Sequence, residues 1–299
     1  MTQRNVSTAI PFAAACLGIA FFSMMDAAMK GLSIAIGAYN TMLWRVLIGV
    51  ALCAIPYFAT RKIWPSRAGL RVHFLRGAVN GIMAVTFCYG IARVPLAEGI
   101  ALSFIAPLIA LYLAAALLGE TVGRKSVVGS LLGIVGVGVI LASRATGQFS
   151  PGSGWGVAAI LVSAIFYAYS IVLMRQQALL ALPVEVAFFQ NLTTSLWLLL
   201  LAPFFAFVPS VQHLPMLALS AGLATCSLLL LSWAYARAEA QVLVPVEYTA
   251  FIWAAIMGAV FYDERLTAAT VGGTVLIVIG CVVASRAKRT ALSPTEAAI

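Results

Sequence analysis

Residues 91–136, IARVPLAEGIALSFIAPLIALYLAAALLGETVGRKSVVGSLLGIVG, return in altered form 144 positions later as residues 235–280, YARAEAQVLVPVEYTAFIWAAIMGAVFYDERLTAATVGGTVLIVIG. Arg93 falls on Arg237, Glu120 on Glu264, Gly129 on Gly273 and Gly136 on Gly280. In both copies an acidic residue ends one apolar stretch, and a glycine-spaced apolar stretch follows. A repeat of about half the chain is too long for a solenoid unit and points to a duplicated membrane unit. Duplicated membrane halves are the architecture of secondary transporters, with the substrate held between them. The expected division is a first five-helix unit over residues 1–147 and a second over residues 148–299.

The rest of the chain agrees. Of its 299 residues, 63% are hydrophobic and 9% charged, and the mean hydropathy is +1.05. So few charges cannot cover a water-soluble surface. The net charge of +9 raises nucleic acid as a partner, but the cations cluster in short gaps between apolar runs. That pattern sets membrane orientation, so the expected partners are the lipid bilayer and a small molecule, with no nucleic acid. Cys16, Cys53, Cys88, Cys226 and Cys281 each lie inside an apolar run without a CxxC pair. They read as small hydrophobes, so no metal site, disulfide or cofactor is expected. His73 and His213 sit at segment edges and read as interfacial. The run FAAACLGIAFFSMM after Arg4 continues too far for a signal peptide and reads as an uncleaved first membrane helix.

A membrane helix needs about 20 apolar residues. Ten candidate spans fall at 9–34, 38–59, 72–93, 95–118, 125–143, 154–174, 184–208, 213–236, 240–262 and 268–286. They lack the period-2 pattern of a barrel strand, and open sheet edges cannot face lipid, so the spans are helices. The predicted fold is all-α, a polytopic membrane protein with ten transmembrane helices in two inverted five-helix repeats. With a cytoplasmic N-terminus, the inner segments carry Arg4, Arg61, Lys62, Arg67, Arg71, Arg124, Lys125, Arg175, Arg237, Arg286, Lys288 and Arg289. The outer loops then hold Arg93, Arg144 and Arg265, with Lys30 near the outer end of the first span. This bias places both termini in the cytoplasm, and the expected location is a bacterial inner membrane. Five spans per repeat is an odd number, so the second copy enters the membrane from the opposite side.

Two closing segments, APLIALYLAAALLGETVGRKSVVGSLLGIVGVGVIL (106–141) and AFIWAAIMGAVFYDERLTAATVGGTVLIVIGCVV (250–283), carry a resemblance. With Arg45 in WRVLIGVAL, they resemble the EamA family of the drug/metabolite transporter (DMT) superfamily. The resemblance covers nearly the whole chain and is nearest to amino acid exporters of the YddG type. It implies ten helices, cytoplasmic termini, and export of amino acids through a central cavity.

Ionisable groups inside a membrane are costly and mark functional sites. Asp26 and Lys30 lie four apart in the first span and share a helix face. Arg45, early in the second span, joins them in an expected gate or coupling network, whose plain reading is an internal ion pair. Glu247 follows Pro245, which removes a backbone donor, so a freed carbonyl beside a carboxylate could bind a cation, a proton or a substrate amine. Glu98, at the mouth of the fourth span, reads as interfacial. Phe166, Tyr169 and Ser170 share one face of the sixth span. With Asn80, Tyr89, Phe104, Trp233, Glu247 and Tyr248 they form a candidate substrate cavity of apolar walls and few polar groups. The alternative for Glu247 is a pair with Arg237 or a cytoplasmic-side anchor; for the others it is an aromatic belt or ordinary packing, above all for Trp155 and Trp197. Pro95, Pro107 and Pro245 are candidate hinges, although Pro107 corresponds to Phe251 and not to a second proline. Gly129, Gly133, Gly136 and Gly138, with Gly272, Gly273 and Gly280, read as close helix packing.

The expected function is export of amino acids or similar small metabolites by alternating access through a central, largely apolar cavity. Without a Walker A pattern, ATP is not expected to drive it. The rivals are a drug or other-metabolite exporter of the same fold, an integral-membrane enzyme acting on lipid-borne substrates, and a channel. The enzyme reading meets one adjacent acidic pair, Asp263–Glu264, and the repeat matches Glu264 with Glu120. Symmetry therefore favours structure over catalysis.

Overall fold

The computed structural model describes residues 9–60, 64–118, 123–145, 152–178, 180–235 and 246–285. Among them every α-helix follows an apolar run. In chain order these are α1 (Ala9–Ile36), α2 (Ala38–Thr60), α3 (Arg67–Ile91), α4 (Leu96–Ser103), α5 (Ala106–Leu118) and α6 (Arg124–Ala145). The second half continues with α7 (Ser153–Ala178), α8 (Pro183–Phe205), α9 (Leu214–Tyr235), α10 (Ala250–Tyr262) and α11 (Ala268–Ser285). Seven spans are long and apolar enough to cross a membrane, one of them being α4 and α5 taken together, and three further apolar helices are shorter. The outward faces are greasy: Phe204, Leu200, Val260 and Ile55 are all exposed. Water would not tolerate such a belt, and lipid requires it.

Local chemistry sets the helix limits. Gly37, with φ 76°, is the single residue between α1 and α2. The left-handed turn it makes is open to glycine at no steric cost, so the chain reverses there at once. Ser66 caps α3 by accepting a hydrogen bond from Gly69 N at 3.1 Å. Pro183 opens α8, where its missing N–H costs nothing. The spans alternate in direction, α4 and α5 counting as one, so the bundle has a near end, where α1 begins, and a far end, where α1 stops.

Packing reveals the duplication. α1 lies along α9, and α3 along α7. A 144-residue shift turns α1 into α7 and α3 into α9, so the two contacts are images of one another. The crossing of α6 and α11 fixes the relation between the halves. A Cβ added at Gly136 would fall 2.5 Å from Gly273 O, and one at Gly273 would fall 2.6 Å from Gly136 O. A Cβ at Gly280 would strike Gly129 O in the same way. The contact 136–273 becomes 280–129 under the shift, and moving down α6 means moving up α11. Two images of one helix that cross antiparallel are related by a two-fold axis lying across the bundle. The protein is thus an all-α polytopic membrane protein built from two inverted repeats.

Not every glycine serves this contact. Gly138 and Gly272 have open space where a side chain would go. Glycine spacing alone does not say which side of a helix meets its partner.

Candidate functional site

Both repeats break a helix at the same place. α4 ends at Ser103 and α5 begins at Ala106. Between them Phe104 N bonds Ala101 O at 3.2 Å and Ile105 N bonds Leu102 O at 3.3 Å. This is a tightened turn, and Pro107 has no N–H to restore the regular bond to Ser103. In the second repeat Phe104 corresponds to Tyr248. There Thr249 N bonds Val246 O at 3.0 Å before α10 begins at Ala250. The breaks correspond although the prolines do not. Phe104 and Tyr248 also touch, ring centroids 5.4 Å apart and planes at 90°. Two equivalent residues in contact lie on the two-fold axis. Discontinuous helices at the centre of an inverted repeat are where transporter sites are built.

Around this centre the bundle presents polar groups to its interior. Tyr167 keeps 43% of its surface uncovered, yet lies within electrostatic reach of Glu247, Arg76 and Asp26. Those groups come from three other segments, so Tyr167 lies on the side of α7 that faces the charged residues of the bundle. Glu247 is itself exposed and acts electrostatically on Tyr167. Phe166 and Tyr169 lie on the same helix, Phe166 half-buried. Ser170 is buried and donates to Asn80 Oδ1 at 2.8 Å. Trp233, near the end of α9, is partly exposed. Tyr89 is drawn to the far end of α3 and away from this interior. There the Arg93 guanidinium lies 3.4 Å above its ring and donates to its carbonyl.

A chain of polar contacts runs from this interior to the near end. Arg76, 7% exposed, donates to Ser170 Oγ at 3.5 Å and to Gln177 Oε1. Gln177 bonds His73 Nδ1 at 2.5 Å, and His73 Nε2 meets Glu185 at 3.2 Å. His73 is therefore buried in the α3–α7–α8 junction and not interfacial, because Gln177 and Glu185 satisfy both ring nitrogens. Arg76 and Gln177 are not among the residues singled out from the sequence. The signal is present there nonetheless: His73, Arg76 and Asn80 sit at i, i+3 and i+7, one polar stripe on an apolar helix. Arg76→Met is expected to lower stability by about 1–3 kcal/mol, since Gln177 Oε1 loses its donor inside the bundle. An unchanged melting temperature in detergent would show that this chain of contacts contributes nothing.

At the far end the pairing differs from the one helix spacing suggests. Lys30 does not bond Asp26. Its Nζ lies 2.5 Å from Glu264 Oε1 and 2.5 Å from Val94 O, and 5.3 Å from the Tyr262 ring centroid. Glu264 Oε2 accepts from Leu96 N at 2.7 Å, and Tyr262 donates to Ala27 O. Pro95 holds the N-cap position of α4 just beside this cluster. The latch joins α1, the 92–95 turn and the end of α10, and so ties the first repeat to the second. Asp263, at φ 51°, turns the chain so that Glu264 points back. Glu98, expected at the interface, is buried in the first turn of α4. A hollow of about 30 Å³ beside it and Glu264 is large enough for about one water.

Asp26 and Arg45 remain in the interior. Arg45 Nη1 lies 3.9 Å from Met25 Sδ and Nη2 3.5 Å from Met42 Sδ. Arg45 Nε and Asp26 Oδ2 have no hydrogen-bond partner among the described residues. Their charges act on one another, but they form no ion pair. Pro245, Glu120 and Arg237 lie outside the described residues.

The architecture defines a membrane transport protein. The family model for the EamA-like transporter family matches residues 10–142 and 154–286, and the chain belongs to that family, within the drug/metabolite transporter superfamily. It is a transporter and not an enzyme. It is 27% identical to the pseudopaline exporter CntI of Pseudomonas aeruginosa over 90% of this chain and 93% of that protein. It is 23% identical to an S-adenosylmethionine uptake transporter of Rickettsia prowazekii over 88% of this chain and 87% of that one. A crystal structure superposes with a TM-score of 0.63 at 23% identity, covering 95% of this chain and 99% of the other. That likeness supports the fold.

Proposed function

We propose that the protein exports amino acids or similar small metabolites by alternating access, with the substrate bound between the two repeats. One observation carries this reading: the matched helix breaks at Phe104 and Tyr248 meet on the axis that relates the halves. Backbone freed at such breaks, beside Glu247, Tyr167 and Asn80, offers polar contacts inside apolar walls. The candidate cavity is formed by those residues with Phe166, Tyr169, Ser170 and Trp233. Pro95 and Pro107 act as hinges, and Lys30–Glu264 is the gate. The repeats part near residues 147 and 148. The Lys and Arg distribution supports a bacterial inner-membrane location with cytoplasmic termini, which makes the far end periplasmic. The similarity to an exporter supports the direction. S-adenosylmethionine, the substrate in another relative's name, is an amino acid derivative and supports the substrate class.

Counterflow in proteoliposomes tests the reading. Vesicles are loaded with one of the proteinogenic L-amino acids at a time, and uptake of labelled tracer is followed. Saturable, amino-acid-specific exchange is the expected result. Absence of exchange for all of them, in vesicles holding folded protein, would move the substrate to drugs or other metabolites. Glu247→Gln is expected to slow exchange by about tenfold while leaving the melting temperature unchanged. Wild-type rates would remove Glu247 from the site.

A further inference from the structure

The interior charges divide into two kinds. Lys30 has Glu264, His73 has Glu185, and Arg76 has Gln177 and Ser170. Among the described residues, Arg45 has only thioether sulfurs as hydrogen-bond partners. A guanidinium carries five N–H donors, and a thioether is a weak acceptor. Arg45 is half-buried with its Nε fully covered, and charges taken out of water are ordinarily paired or fully hydrogen-bonded, because desolvation is costly. Asp26 is the complementary case. It is 3% exposed, and its Oδ2 finds no donor among the described residues. Ser23, one turn earlier on the same face of α1, is 1% exposed, and its hydroxyl is also without a partner there.

The two charges nevertheless leave each other unpaired. Met25, next to Asp26 in sequence, reaches Arg45, so α1 and α2 hold the two groups in one neighbourhood. The surrounding side chains, Met25, Met42 and Cys88, are buried and apolar. An opposed cation and anion that do not close on one another form a receptor for a ligand with the two signs in reverse order. An α-amino acid has that form, with a carboxylate and an ammonium on one carbon.

We propose that Arg45 receives the α-carboxylate of the substrate and Asp26 its α-ammonium, so that this pair selects zwitterionic amino acids. The assignment rests on the reading of the protein as an amino acid exporter. A bidentate carboxylate supplies the acceptors that the guanidinium lacks. The ammonium supplies the donor that Asp26 Oδ2 lacks. The rest of the substrate then extends along apolar walls toward Phe104 and Tyr248.

The test uses the amino acid that exchanges fastest in the counterflow panel, its carboxamide and its N-acetyl derivative. Against wild-type protein, each derivative is expected to compete at least about tenfold more weakly than the parent. Arg45→Gln is expected to raise the KM for the parent by about tenfold and to abolish discrimination against the carboxamide. Asp26→Asn is expected to abolish discrimination against the N-acetyl derivative while preserving that against the carboxamide. Arg45→Lys keeps the charge and restores part of the discrimination. Should Arg45→Gln not fold, Arg45→Lys and the wild-type competition series decide the question. Derivatives that compete as well as the parent on wild-type protein would overturn the proposal. Variants that lose rate without any change in discrimination would do the same, and would assign the pair a structural role. In both cases the amino acid reading stands, whereas no exchange for any amino acid overturns both.

Discussion

Glu264→Ala is expected to destabilise the protein by about 3–5 kcal/mol, the cost of taking the carboxylate out of a buried ion pair. Lys30 is the charge left behind, with a side chain only 6% exposed. Val94 O remains to it, but a carbonyl dipole does not neutralise an ammonium. Leu96 N also loses its acceptor at the start of α4. The measurement is thermal unfolding in detergent. The double variant Lys30→Met/Glu264→Ala removes both charges, and most of the loss should return. A single variant as stable as wild type would mean that the latch is not a buried pair. A double variant no better than the single would place the effect at Leu96 alone. On the alternating-access proposal the latch closes the far end, so the double variant should be folded yet altered in transport.

Gly136→Val is the second large effect. Its Cβ would stand 2.5 Å from Gly273 O, 2.7 Å from Ile277 Cγ1 and 3.0 Å from Ile277 N. Two of those atoms are backbone and cannot rotate away. The helices must separate, and overpacking of this kind costs about 1–3 kcal/mol or more. The loss falls on the crossing that joins the two repeats, so we expect poor yield and a depressed melting temperature. Gly280→Val should do the same through Gly129, the residue whose image is Gly273. Gly138→Ala is the control: it meets open space and should stay within about 0.5 kcal/mol of wild type. Equal effects at Gly136 and Gly138 would show that α6 and α11 do not cross at these glycines.

The helical class, the spans and the duplication are legible in the residues because bilayer thickness fixes the length of each apolar run. The 144-residue shift also identifies matching positions, among them Glu120 with Glu264 and Gly136 with Gly280. The site is legible in parts. Asn80 and Ser170 each stand out as polar residues in apolar runs, and they bond across α3 and α7. Tyr167 does not stand out, because it falls off the face shared by Phe166, Tyr169 and Ser170, and the interior lies on more than one face of α7.

Pairing is what the sequence could not decide. Spacing on a helix puts Lys30 beside Asp26, but a residue from the other repeat takes the lysine, since the inversion returns Glu264 to the far end. The prolines do not match between copies, yet the helix breaks do, because the break follows the packing at the two-fold axis and not one residue type. The amino acid order determined that ten apolar segments cross a membrane in two related sets, since hydrophobicity and length are local properties. Only the tertiary structure decided which buried charges find partners and which stay open, since an ion pair depends on segments that the chain brings together from opposite repeats.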